Sequence, residues 1–297
     1  PTDEPMNPAA APPLHILQNG IPRSGNLWLH YLLRQCLKEA GVVIRQNIEN
    51  DSVAEALAGV DLGIRDIEKI DFIRIQPLRC FSTILDIYQW PIEDLDSYVR
   101  GSTHTSSHSS WNEASASVYA RFSHVIYIIR DPRDAAVSMA RFACTPFNKL
   151  HRPHAFTAPK EYLDYHLSSL IDTWTKHVGG HLQHRDDARI HFVMYERLLD
   201  SPQEEITDLT RFLGLDLERE QLDRVLAKTS FGELKQVQPN HLVAGSWGQW
   251  RDALSSHQVR QARSLAGPLL EYFGYPPDNR ALGGWSLCEI RSSPNVT

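Results

Sequence analysis

Two glycines with four residues between them frame the segment Gly20-Ile21-Pro22-Arg23-Ser24-Gly25-Asn26-Leu27, just ahead of a stretch with helical apolar spacing. That spacing suits capture of an anion. Glycine lets the backbone approach closely, and the N–H groups at a turn and a helix N-terminus converge on negative charge. Loops that grip nucleoside triphosphates follow the second glycine with Lys and Ser/Thr, which hold the outer phosphates and Mg²⁺. Here Asn26 and Leu27 stand in those places, and leucine ligates no metal. The loop's cation lies inside it, at Arg23. The chemistry that fits is binding of an anionic anhydride without an obligatory metal. The same spacing also serves a plain tight turn before a core helix.

The elements around this loop set where it can act. Residues 14–19 form a short apolar run ending at Gly20, which predicts a buried strand. Residues 26–40 repeat apolar side chains at Leu29, Leu32, Leu33, Cys36 and Leu37 and close on Gly41, which predicts a helix. Residues 72–75 and 98–103 are short candidate strands. Residues 124–129 (HVIYII) form a continuous β-branched run, as expected of a strand covered on both faces. It runs into Asp131-Pro132-Arg133-Asp134, a helix start with Asp as cap, Pro at the first position and an acid at the third. Residues 142–159 show no clear period and hold three prolines and two histidines, the composition of a lid or binding loop. Helices are expected over 161–177, 203–213, 218–228 and 256–272, with a strand at 190–194. Strands alternating with helices predict one α/β domain over residues 14–280, a central parallel sheet flanked by helices. Residues 1–13, with five prolines, read as a disordered lead-in and 281–297 as a tail.

The chain has 297 residues, with 30 Lys+Arg against 36 Asp+Glu and a net charge of −6, which argues against a nucleic-acid coat. No apolar run approaches the roughly 20 residues needed to cross a bilayer, so no membrane partner is expected. The four cysteines, Cys36, Cys80, Cys144 and Cys288, are scattered, with no short spacing to a histidine. That disfavours a zinc site or a disulfide framework. With no leader-like opening, a cytoplasmic protein is expected.

The loop does not stand alone. GIPRSGNLWL after a strand, Ile129-Arg130-Asp131-Pro132-Arg133-Asp134-Ala135-Ala136-Val137-Ser138, and Gly245-Ser246-Trp247-Gly248-Gln249-Trp250-Arg251 occur in that order. Tyr195-Glu196 follows a strand between them, and Thr229-Ser230-Phe231 follows a helix. This set resembles the 5′-phosphosulfate loop, the 3′-phosphate motif and the C-terminal glycine-rich segment of the cytosolic-type sulfotransferases. The resemblance implies the sulfotransferase fold with its P-loop-like phosphate loop. It also implies the donor 3′-phosphoadenosine 5′-phosphosulfate (PAPS, product PAP), no metal, and in-line sulfuryl transfer to a hydroxyl of a small organic acceptor.

Residue by residue, the resemblance has the amides of Ser24, Gly25, Asn26 and Leu27 hold the 5′-phosphate, and Arg130 and Ser138 the 3′-phosphate. Trp28 and Phe231 would sandwich adenine, Thr229 would read its edge, and Tyr195 would hydrogen-bond it or cap a strand end. Gly245 and Arg251 belong to the third block. Arg23 takes the place of the family's loop lysine, keeping its charge at the reacting group but unable to donate a proton. The family's base is a histidine at a strand end. His104, following Ser102-Thr103, is the match, and His108 four residues on is the competitor. An imidazole with its ordinary pKa near 6.5 accepts a proton at neutral pH.

Two further departures stand out. Ser102 replaces a lysine, and Val243-Ala244 replaces a basic pair for which Arg251 or His241 could compensate. Phe142, Phe147, His151, His154 and Phe156 suggest a partly aromatic lid over the acceptor. Two other readings stay open: a P-loop nucleotide kinase or hydrolase, and a non-catalytic nucleotide-binding module that kept the fold.

Overall fold

Ile16 and Leu17 point to opposite faces of a strand, and each finds its own apolar layer. This strand, β1 (Ile16–Asn19), is buried at all four positions and runs straight into the glycine loop. The computed structural model describes residues 13–49, 70–84, 88–237 and 245–277. Residues 1–12, 278–297, His241, Val243 and Ala244 lie outside the described residues.

From the loop the chain enters α1 (Asn26–Glu39), then forms an antiparallel sheet from β2 (Ile73–Ile75), β3 (Cys80–Ile84) and β4 (Tyr88–Pro91). Helix α2 (Leu95–Gly101), β5 (His104–Ser107), α3 (Ser115–Tyr119) and β6 (His124–Ile129) follow. Next come α4 (Pro132–Ala143), α5 (Pro146–His151), α6 (Pro159–Gln183) and β7 (Ile190–Met194). The described chain closes with α7 (Tyr195–Asp200), α8 (Pro202–Phe212), α9 (Arg219–Lys228), α10 (Phe231–Val237), α11 (Trp250–Ala253) and α12 (Ser256–Tyr272).

The principal sheet is parallel throughout, in the order β5-β1-β6-β7. Its register pairs Asn19 with Ser107 on one side and with Tyr127 on the other, and Ile129 with Met194. Alternation along β6 splits the core. Ile126 and Ile128 pack with Leu29, Leu33, Ile206 and Leu209 of α1 and α8. Val125, Tyr127 and Ile129 pack with Val137, Ile171, Trp174 and Ala262 of α4, α6 and α12. An α/β domain with a central parallel sheet flanked by helices is therefore what forms. All four carboxyl ends fall on one edge, beyond which ligands bind in such sheets. Among the described residues no helix is long and apolar enough to cross a membrane.

Two expectations need correction. Residues 98–103 are not a strand, because the caps of α2 win over the β-prone Tyr98 and Val99. The Asp94 carboxylate accepts the Ser97 N–H at 2.9 Å, Asp96 sits in the first turn and Arg100 in the last. The strand begins at His104, so His104 opens β5 and does not follow a strand. Residues 142–159 are likewise not one loop. Thr145 caps α5 through the Asn148 N–H, and Pro146 and Pro159 take the first positions of α5 and α6.

Candidate functional site

The loop after β1 turns through two residues in left-handed backbone conformations, Arg23 (φ 72°) and Gly25 (φ 98°). At Gly25 the chain needs the missing side chain twice over. A Cβ there would lie 2.5 Å from the Tyr195 ring, besides straining the backbone. The first bond into α1 is Leu29 N–H to the Gly25 carbonyl at 3.0 Å. Helix geometry therefore leaves the first-turn amides of Asn26, Leu27 and Trp28 without a carbonyl inside the helix. Asn26 Nδ2 stiffens the loop by donating to the Ile21 carbonyl at 2.9 Å. The Ser24 amide turns back to the same carbonyl at 3.3 Å, while the buried Ser24 hydroxyl has no hydrogen-bond partner.

Two guanidinium groups border this loop. Arg130, buried at the end of β6, donates to the Arg23 carbonyl at 3.2 Å and the Ser246 carbonyl at 3.4 Å, and lies 4.2 Å over the Tyr195 ring. Its Nε is buried without a partner. Arg23 donates through Nε to Ser138 Oγ at 3.2 Å and lies 4.8 Å over Phe142. Burial, together with the neighbouring charge of Arg130, pulls Arg23 down to about 10. Two cations held this close favour an anion between them. Replacing Gly25 by alanine should push Tyr195 off its seat. A lowered Tm and weakened PAP binding by calorimetry would report it, and unchanged values would show that the loop repacks freely.

The residues expected beside adenine also lie close together in part. Trp28 Nε1 donates to the Thr229 carbonyl at 2.9 Å, and its ring stands edge-on to Tyr195 at 5.6 Å. The Thr229 hydroxyl instead donates to the Val225 carbonyl at 2.8 Å, closing α9. The Gly245 backbone lies flat on Phe231, whose ring atoms would be 2.4 Å from any Cβ there. The segment 245–251 is tied to α4 by Asp134, which accepts the N–H groups of Gly248 and Trp250. Arg133 clamps Asp131 at 2.9 and 2.6 Å and lies 3.7 Å from the Trp250 ring. Arg251 stacks on Trp247 and Trp250 at 5.7 and 4.7 Å. Behind Asp131, burial pushes Glu196 up to about 8, and its carboxyl accepts from the Asp131 N–H and the Tyr275 hydroxyl.

The two histidine candidates separate cleanly. His104 sits at the amino end of β5, paired in register with Ile16, whereas the loop leaves from Asn19 at the other end. It is buried, stacks on His30 at 4.9 Å, and contacts Gln18 Oε1 through Nε2 at 3.1 Å. Burial, with His30 and Arg34 adding to it, holds its pKa well below the ordinary value. Ser102, beside it, is buried and donates to the His104 carbonyl. His108 instead follows the carboxyl end of β5, with Nδ1 2.6 Å from the Gly20 carbonyl and the Phe72 ring edge-on at 4.9 Å. Asn19, which sequence reasoning passed over, joins both segments. Its Oδ1 accepts the Gly20 N–H at 2.7 Å and its Nδ2 donates to the Ser109 carbonyl at 2.9 Å. An amide at the end of an apolar strand, directly before the loop glycine, was the available signal.

Comparison with known proteins sets this geometry in context. Residues 13–274 match the sulfotransferase domain family. The chain is 27% identical to a 3-alpha-hydroxysteroid sulfotransferase from Cavia porcellus over 190 residues, 58% of this chain and 63% of that protein. It is 24% identical to an amine sulfotransferase from Oryctolagus cuniculus over 48% of each chain. The chain thus spans between about half and just under two thirds of those two relatives. In fold it is similar to mouse sulfotransferase SULT7A1 complexed with PAP, with a TM-score of 0.59 at 20% identity over 88% of this chain and 85% of that one. With 262 of its 297 residues inside the family match, the chain belongs to the sulfotransferase domain family.

Proposed function

We propose that this chain transfers a sulfuryl group from PAPS to a hydroxyl of a small organic acceptor, without a metal, and that His108 takes the acceptor proton. The observation that carries the assignment of the base is the 2.6 Å contact between His108 Nδ1 and the Gly20 carbonyl. A carbonyl only accepts, so Nδ1 bears the proton and Nε2 carries the lone pair a base needs. The contact also ties the imidazole to the first residue of the phosphate loop. This moves the role of base four residues along from His104.

The pocket's own chemistry fits the donor. The Ser24 hydroxyl and the Arg130 Nε are buried without partners, each a cost of about 1–3 kcal/mol that a polar ligand removes. When bound, PAPS supplies a phosphate–sulfate anhydride whose cleavage drives the transfer. The first-turn amides of α1 and the Ser24 hydroxyl bind its 5′-phosphate. Arg130 and Ser138 bind the 3′-phosphate, and Arg23 holds positive charge where negative charge grows on leaving. Trp28, Tyr195 and Phe231, with the Thr229 carbonyl behind the indole, form the base-binding wall, and Gly245 keeps Phe231 in place. Leu27, where a triphosphatase has its metal-ligating hydroxyl, supports the metal-free reading. Free cysteines at Cys36, Cys80 and Cys144 support a reducing, cytoplasmic setting.

Radiolabelled PAPS offered with a panel of phenols and alcohols, in EDTA, should pass label to at least one acceptor. Turnover of ATP that needs Mg²⁺, with no transfer of label, would return a nucleotide kinase or hydrolase. PAP binding with no turnover of either donor would leave a binding module. Arg130→Ala should weaken PAP by about 10- to 100-fold, as for loss of a charge-assisted contact of about 1.5–3 kcal/mol. The 3′-dephospho analogue should lose far less, and equal losses would remove Arg130 from the 3′-phosphate.

A further inference from the structure

Behind His108 lies a buried polar chain that the transfer reaction, as derived above, does not use. Asn19 Nδ2 donates to the Tyr119 hydroxyl at 2.7 Å, and that hydroxyl lies 2.9 Å from His181 Nε2. His181 Nδ1 faces the His177 carbonyl at 2.7 Å, one turn back on α6. His177 Nδ1 faces the Tyr127 hydroxyl at 2.6 Å, and its Nε2 faces the His108 carbonyl at 3.2 Å. The two imidazoles stack at 4.9 Å, and Tyr127 packs over His181 at 4.4 Å. His177 and His181 are four residues apart, so one helical face turns both toward the sheet.

We propose that His177 is a positioning residue for His108: its Nε2–H holds the His108 backbone carbonyl, and this hold keeps the His108 imidazole seated on the Gly20 carbonyl beside the phosphate loop. The inference rests on the assignment of His108 as the base. Each link has one consistent direction. Carbonyl oxygens only accept, so His177 carries its proton on Nε2 and His181 on Nδ1, which leaves Nδ1 of His177 to accept from Tyr127 and Nε2 of His181 to accept from Tyr119. Burial pulls His177 down to about 4 and His181 down to about 3, so both are neutral at pH 7 and each keeps one tautomer. With Asn19 gripping the Ser109 carbonyl, the two carbonyls at positions 108 and 109 are held from α6 and from β1. A proton acceptor on a short connection after a strand needs such a hold, since a shift of about 1 Å in a reacting group costs up to about 100-fold in rate.

The test separates the two nitrogens of His177. Glutamine places an amide N–H near the position of Nε2, and asparagine places its amide near Nδ1. Turnover is followed with PAPS and p-nitrophenol or, if that phenol is inert, the best acceptor of the panel. His177→Asn should lower kcat by about 10- to 100-fold with PAP affinity unchanged, and His177→Gln should keep most of the rate. Nitrogen NMR of labelled histidine gives a readout independent of turnover. His108 should show a single Nδ1–H pattern in the wild type and in His177→Gln, and an averaged pattern in His177→Asn.

Wild-type rate and His108 spectrum in His177→Asn would overturn the proposal. Equal losses in both variants, with PAP binding lost alongside, would make His177 merely structural and overturn it too. Should the asparagine variant not fold, the wild-type spectrum decides. His177 must appear as the Nε2–H tautomer, and an Nδ1–H tautomer could not hold the carbonyl. If His108→Ala retains full turnover, the assignment of the base fails, while the His108 spectra still judge the hold itself.

Discussion

Replacing His108 with alanine is expected to lower kcat by about 10²–10⁴ while PAP binds as before. The expectation follows from what the side chain does and does not touch. Nδ1 is committed to the Gly20 carbonyl, so Nε2 carries the lone pair that takes a proton. His104→Ala is the control. Burial already keeps His104 neutral at the acidic pH values where an ordinary imidazole charges, and it stands at the amino end of the sheet. Its loss should cost stability, about 1–3 kcal/mol as for other buried polar side chains, and leave kcat per folded molecule near wild type. Full activity in His108→Ala, with collapse in His104→Ala, would reverse the assignment.

The second large effect is one of stability. Arg133 is fully buried, and its fork meets both oxygens of Asp131 while its flat face covers Trp250. Arg133→Met keeps much of the volume but strands the Asp131 carboxylate beside Asp134 and Glu196. Breaking a buried pair in this way costs about 3–5 kcal/mol. Burial raises Asp134, with Asp131 adding to it, so the acids already crowd one another. Adding Asp131→Asn removes the stranded charge, keeps a capping side chain for α4, and should recover most of the loss. Urea denaturation read as ΔG at constant m decides the matter. A single variant within about 1 kcal/mol of wild type, or a double variant no better than the single, would show that the pair is not the lock between α4 and the segment 245–251.

The parts of this design that sequence reading reaches are those whose local physics and burial agree. β6, β7 and α12 fall where expected because a β-branched run and a 3.6-residue apolar stripe each name one partner surface. The loop, Arg130, Trp28 and Tyr195 gather because each follows a carboxyl end or opens a helix beside it, and Ser138, about two turns into α4, meets them through Arg23. β5 misleads for the opposite reason. His104-Thr105-Ser106-Ser107 is a fully buried strand with no aliphatic side chain. Ser107 Oγ donates to Ser109 Oγ while the Thr105 hydroxyl is buried without a partner, and this solvated-looking composition hides a core position. Tyr98 and Val99 then drew the expected strand onto residues 98–103, ahead of β5 at His104–Ser107. The His177–His181 pair was invisible for a related reason, since two histidines at helical spacing read as surface until a sheet covers them.

The register between β1 and β5 has a wider consequence. The phosphate loop and His108 leave from Asn19 and from Ser107, which are direct partners on adjacent parallel strands. Strands in a sheet lie about 4.8 Å apart, and that spacing belongs to the backbone ladder, not to any side chain. The offset between the glycine loop and His108 is thus a lattice constant of the sheet. Side chains from outside the ladder, such as Phe72 before β2 against His108 or Phe142 on α4 against Arg23, can be exchanged one by one, and the distance from the loop to His108 does not change with them.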